Sequence, residues 1–128
     1  ETIDEVNEYK VLRGDNYCLS NNINNIDILK INVQGMELEV IKGFENMIKS
    51  NSIKVILAEY DYTNRYEKKT TIGSLENFLS TYHYSLFDIA LLRREKTIDK
   101  NNNLLFLRIK HGYALFVNKN LASETQKN

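Results

Sequence analysis

The segment Ile26 to Val33 constrains the fold more than any other part of the chain. Ile28, Leu29, Ile31 and Val33 fall on both faces of an extended backbone, whereas a half-solvated strand alternates apolar with polar. A strand of that kind needs cover on both sides, and in parallel sheets the cover is helical. The chain supplies a helix at once. From about Gly35 to Lys49, the residues Met36, Val40, Ile41, Phe44 and Ile48 recur at helical spacing. Glu37 and Glu39 stand in the first turn and Lys49 in the last, as the helix dipole favours.

The alternation continues downstream. Tyr9 to Leu12 reads as a strand end, and Asp15 as the N-cap of a brief helix through about Asn21. Ile53 to Glu59 reads as a second buried strand. Thr71 to Tyr82 reads as a helix with a Leu75, Phe78, Leu79, Tyr82 stripe. Tyr84 to Leu92, Leu104 to Ile109 and Tyr113 to Val117 follow as strands, with Lys110-His111-Gly112 turning the last two into a hairpin. Asn101 to Asn103 reads as another turn. This order predicts an α/β layer fold, parallel strands with helices plus an antiparallel edge hairpin. The chain has 128 residues, no proline and five scattered glycines, so nothing marks an internal linker. We expect a single α/β domain over residues 1–121 and a disordered polar tail over 122–128.

Several functional classes are disfavoured. Seventeen basic and 17 acidic side chains cancel to zero net charge, which argues against a general nucleic-acid binder. No apolar run approaches the ~20 residues of a membrane span. Cys18 is the only cysteine, so no internal disulfide forms and a reducing, cytoplasmic setting is expected. Cys18, His83 and His111 are too few for a four-ligand zinc site. The opening Glu1, Asp4 and Glu5 do not resemble a secretory signal, and the lack of an initiating Met is expected of a piece of a longer protein.

Polar residues gather where the two buried strands end: Asn32, Gln34 and Glu37 after the first, Glu59, Tyr60 and Asp61 after the second. If the strands are adjacent and parallel, both sets share the rim where open α/β sheets bind ligands. Carboxylates there can orient a hydroxyl or take its proton; the competing reading is that they merely satisfy loop and helix-end backbone groups. Tyr60, Tyr62, Arg65, Tyr66, Lys68 and Lys69 mix aromatics with cations, as either a lid stacking on a sugar or base or a solvated loop would. Cys18 reads as a buried, inert thiol, and His83 as a helix-end residue with no catalytic task. No Gly-x-Gly occurs, so a nucleotide-type cofactor site is not complete in this chain.

The stretch from Asn22 to Gly43 resembles the signature of the FkbM-type methyltransferases. There a strand ending Lys-Ile-Asp-Val-Glu-Gly leads into a helix beginning Gly-x-Glu, followed by Val-Leu-x-Gly. The counterparts here are Lys30-Ile31-Asn32-Val33-Gln34-Gly35, Glu37 and Val40-Ile41-Lys42-Gly43. Gly14-Asp15-Asn16-Tyr17-Cys18 is similar to the family's Leu-Asp-Asp-Tyr-Cys lead-in, and Val55 to Tyr60 to its next strand. Tyr82-His83-Tyr84 and Ala114 to Lys119 resemble the family's later elements, so the likeness runs from about residue 10 to 120.

The resemblance implies the second half of a Rossmann-like class I methyltransferase sheet. It also implies S-adenosylmethionine as cofactor and O-methylation of a hydroxyl on a sugar or small metabolite. The glycine-rich half would lie elsewhere. Motif match and strand-end placement together single out Asn32, Glu37 and Glu59 as catalytic candidates, and Gln34, Tyr60 and Asp61 as substrate-binding ones. Asn32 stands where the family has aspartate, and Gln34 where it usually has glutamate. An amide takes no proton near neutral pH, so position 32 is limited to hydrogen bonding. The expected partners are a small-molecule or glycan hydroxyl acceptor, together with a missing amino-terminal half or a second copy of the chain. A non-catalytic remnant serving as scaffold or binding module is the alternative. A weaker one is a carbohydrate-binding module built on Tyr60 to Tyr66.

Overall fold

The computed structural model describes residues 9–63, 67 and 69–122. In chain order the elements are α1 (Gly14–Ser20), β1 (Ile26–Ile31), α2 (Glu37–Gly43), α3 (Glu45–Lys49), β2 (Ile53–Asp61), α4 (Ile72–Ser80), β3 (Tyr84–Ile98), β4 (Leu104–Asn118) and α5 (Lys119–Ala122). One four-stranded sheet runs β1-β2-β4-β3. β1 and β2 are parallel, while β4 is antiparallel to both β2 and β3. The protein is therefore mixed α/β. Antiparallel pairs dominate it: the edge hairpin is β3–β4, with β4 inserted beside β2, and not the expected hairpin turning at residues 110–112.

Core packing follows the register. Leu29 and Ile31 of β1 lie beside Ile56 and Ala58 of β2, which lie beside Phe116 and Ala114 of β4. These six point to one side and pack with Ile41, Ile48, Leu75 and Leu79 from the helices. On the other side Ile28, Val55, Leu57, Leu115 and Val117 stay outside the packed core, and Ile28 is 66% exposed. The two-sided cover expected for β1 is thus one-sided among the described residues.

Four local expectations need correcting. The helix expected over Gly35 to Lys49 is two helices broken at Phe44. Asp15 does not cap its own helix, whose N-cap is Arg13. Its carboxylate instead accepts hydrogen bonds from Asn46 N at 3.0 Å and Met47 N at 3.1 Å, satisfying orphan donors at the start of α3. Residues 9–12 form no strand. Finally, β4 is continuous through Lys110-His111-Gly112. It is held there by β2 on one side and β3 on the other, which a turn would forbid.

The hairpin turn lies at Asp99 to Asn103, where the asparagine cluster placed it. Asp99 Oδ1 accepts from Asn101 N at 2.8 Å and Asn103 N at 2.9 Å, and Asn102 takes φ 64°. The helix expected at Thr71 starts there: Thr71 and Ser74 form a reciprocal capping box ahead of α4. Among the described residues no helix is long and apolar enough to cross a membrane. The expected tail residues 123–128 lie outside the described part.

Candidate functional site

Because β1 and β2 are adjacent and parallel, their two polar sets do share one rim. Ile31 pairs with Ala58, so the next residues, Asn32 and Glu59, come side by side. On the far flank of β2, Glu59 pairs with Tyr113 of β4. The strand pleat turns these side chains to the helix-free side of the sheet.

Three contacts tie the rim together. Asn32 Nδ2 donates to the Tyr113 hydroxyl at 2.6 Å. Lys30 Nζ lies 5.6 Å from the centre of the Tyr113 ring, a cation–π distance. His111 Nδ1 lies 3.7 Å from Glu59 Oε1, with the two side chains 25% and 16% exposed. An imidazole next to a carboxylate, both mostly shielded from solvent, is a pair suited to acting on a bound hydroxyl. An amide and a phenol beside it can fix a hydroxyl by hydrogen bonds.

Glu37 has a different setting. After β1 the backbone reverses through Gln34 at φ 57° and Gly35 at φ 103°. Two successive left-handed residues are strained unless one is glycine and the turn is held from outside. Glu37, 1% exposed, holds it: its carboxylate accepts from Val33 N at 3.0 Å and from Gly35 N at 3.1 and 3.2 Å. Thr70 adds a bond to Gly35 O at 3.0 Å and accepts from Leu38 N at 3.4 Å. The signature stretch is therefore a braced strand-to-helix turn, and the Glu37 oxygens face its backbone.

The remaining candidates separate by burial. Gln34 is exposed on the turn. Tyr60 is fully buried, its ring 5.7 Å from that of Tyr62, and burial, with a smaller push from Tyr62, raises its phenol above the ordinary value. Room for it depends on Gly112, since a Cβ there would stand 2.7 Å from the Tyr60 hydroxyl. Asp61 is 4% exposed and accepts from Thr63 N. Tyr62 and Lys69 are exposed. Arg65, Tyr66 and Lys68 of the suggested lid lie outside the described residues. Cys18 is 3% exposed, and burial followed by the nearby Asp15 charge pushes its thiol up, which suits an inert group.

Sequence reasoning passed over Lys30 and Tyr113 and took His111 for a turn residue. Alternation along one unbroken β4 would have put His111, Tyr113 and Leu115 on a common face. Splitting the strand at Lys110-His111-Gly112 hid that signal.

An α/β sheet with a polar rim at the carboxyl ends of its parallel strands defines the general class. The family model of the methyltransferase FkbM domain matches residues 10–86, more than half of the chain, and the protein belongs to that family. No curated protein and no solved structure matches the chain.

The family implies a methyl donor. A groove of about 820 Å³ lies among Val11, Leu12, Tyr17, Met36, Phe44 and Phe78, and none of its lining residues belongs to the Asn32, Glu59, His111, Tyr113 rim. Glu37 is committed to the turn, and no Gly-x-Gly is present to admit a nucleotide. Among the described residues no three His, Cys, Asp or Glu side chains converge as a metal site would require.

Proposed function

We propose that this chain is the carboxy-terminal part of an S-adenosylmethionine-dependent O-methyltransferase acting on a hydroxyl of a sugar or small metabolite. One observation carries the acceptor assignment: the family-matching segment sets Asn32 beside Glu59 on the sheet rim, with His111 3.7 Å from the carboxylate. The cofactor, when bound, supplies a methyl group on a positively charged sulfur. Everything this chain contributes concerns the acceptor. Asn32 and Tyr113 orient the hydroxyl by hydrogen bonds, Glu59 with His111 takes its proton, and Glu37 keeps the Gln34-Gly35 turn in shape. Gln34 stands where it would meet the acceptor's outer part.

The donor site is completed by a preceding segment that pairs with the open edge of β1 and covers the helix-free side of the sheet. Ile28, apolar and 66% exposed on that edge strand, supports this placement. It also accounts for the two-sided apolar pattern of Ile26 to Val33. The amide at position 32 favours the rival reading, a non-catalytic scaffold or binding module, since it removes an ionisable group from the rim.

The test is methyl transfer from labelled donor to a panel of hydroxyl compounds by the intact protein, after its mass is determined. We expect Glu59→Gln to lower kcat by about 100-fold or more, in the range of lost general-base assistance. His111→Gln should lower it less. Unchanged rates in both variants would discard the base assignment. An intact protein of about the present size that transfers no methyl group would establish the scaffold reading instead.

A further inference from the structure

β2 stops pairing at Asp61 and His111, yet β3 and β4 continue together to Ile98 and Leu104. The distal half of this hairpin is a two-stranded arm reaching roughly 20 Å past the sheet, at about 3.3 Å per residue. Its composition departs from that of the chain. Residues 91–110 carry six basic side chains against two acidic, a net +4, where the whole chain is neutral.

Register sorts the arm into unlike faces. Arg94 pairs with Ile109 and Lys96 with Leu107; a register shift follows Thr97, and at the tip Ile98 pairs with Leu104, next to Leu105. That face holds Ile109 and Leu107, 40 and 48% exposed, with two cations and no acid, and it runs into a tip where Ile98, Leu104 and Leu105 are 50 to 58% exposed. The opposite face carries Glu95 against Arg108, joined at 3.2 Å. Charge on a hairpin commonly protects its edges from pairing with other strands. That explains cations but not the exposed aliphatics beside them, which raise the risk that such charges lower.

We infer that this face of the β3–β4 arm docks on the surface of an anionic lipid bilayer. Ile98, Leu105, Leu107 and Ile109 would enter the interface while Arg94 and Lys96 meet headgroup phosphates. A lipid surface is the partner that answers both properties, since nucleic acids and acidic glycans offer negative charge without an apolar layer. The inference does not depend on the methyl-transfer assignment.

The experiment is co-sedimentation of the intact protein with vesicles of phosphatidylcholine alone or mixed with phosphatidylglycerol, with vesicle-free controls. Binding is expected only with phosphatidylglycerol, and should weaken as salt rises. Arg94→Gln with Lys96→Gln should weaken it about thirty-fold, the loss of about 1 kcal/mol for each of two cations. Leu105→Asp with Leu107→Asp should abolish it, and Lys54→Gln at the far end of the sheet should leave it unchanged. All substituted positions are exposed, and circular dichroism of each variant would confirm folding. Equal binding to neutral vesicles, no binding at all, or insensitivity to the arm variants would each overturn the inference. So would self-association abolished by the Leu105 and Leu107 changes, which would make the arm a contact between copies.

Discussion

At the scale of single residues, Glu37 and Glu59 show how similar carboxylates take different work from their surroundings. Glu37 is sealed under a turn and meets backbone N–H groups; Glu59 opens onto the rim and meets an imidazole. Glu37→Gln would replace one accepting oxygen by an NH2 facing the backbone donors. Burying such a mismatch costs about 1–3 kcal/mol. Urea denaturation should register that loss, and methyl transfer per folded molecule should hold. A kcat defect with unchanged stability would return Glu37 to the chemistry. From sequence these roles were not separable, because Asn32, Gln34 and Glu37 share one motif. What divides them is the direction each side chain takes from a left-handed turn, and a linear motif does not encode that.

At the scale of elements, boundaries set by local chemistry were legible and boundaries set by distant neighbours were not. α4 begins where Thr71 and Ser74 cap each other, and its stripe buries Leu75 and Leu79. Thr71→Ala should cost about 1 kcal/mol, seen as a melting point lower by a few degrees. The break at Phe44 is different. It depends on Asp15, some thirty positions earlier, receiving the N–H groups of α3. The long β4 likewise depends on β2 and β3 flanking a Lys-His-Gly stretch that favours a turn in isolation. The true turn has its own pH signature. The side chain of Asn103, then the backbone N–H groups of Asn103 and Asn101, hold the Asp99 carboxyl below the 3.8 usual for aspartate. A group whose folded value is depressed stabilises above its unfolded value and loses that contribution as pH falls. The protection of the Asn101 and Asn103 amides, taken relative to their intrinsic exchange at each pH, should therefore fall as pH falls below about 3.8, and Asp99→Asn should remove that dependence. Amide exchange by NMR reads both effects.

At the scale of the whole molecule, helices cover one face of the sheet and, among the described residues, leave the other open. β1 and β3 are both edge strands; register shifts interrupt β3, whereas β1 offers an edge, unpaired among the described residues, that no proline or bulge interrupts. Beside that edge, Ile28, Val55, Leu57, Leu115 and Val117 form an apolar surface outside the core. An edge and a face exposed together should find cover, either from a preceding segment of a longer protein or from another copy of this chain. The 128-residue chain expressed by itself should therefore associate as its concentration rises, by β1-to-β1 pairing and contact of the apolar faces. Sedimentation velocity across a concentration series would show it. Ile28→Lys, on an exposed strand position, should reduce the association, and Leu105→Asp on the arm should leave it unchanged. Supplying the preceding segment in trans should suppress it if that segment is the natural cover. A monomer at all concentrations that unfolds in one cooperative step would mean that the single helical layer suffices, and the open side would need no further half to account for it.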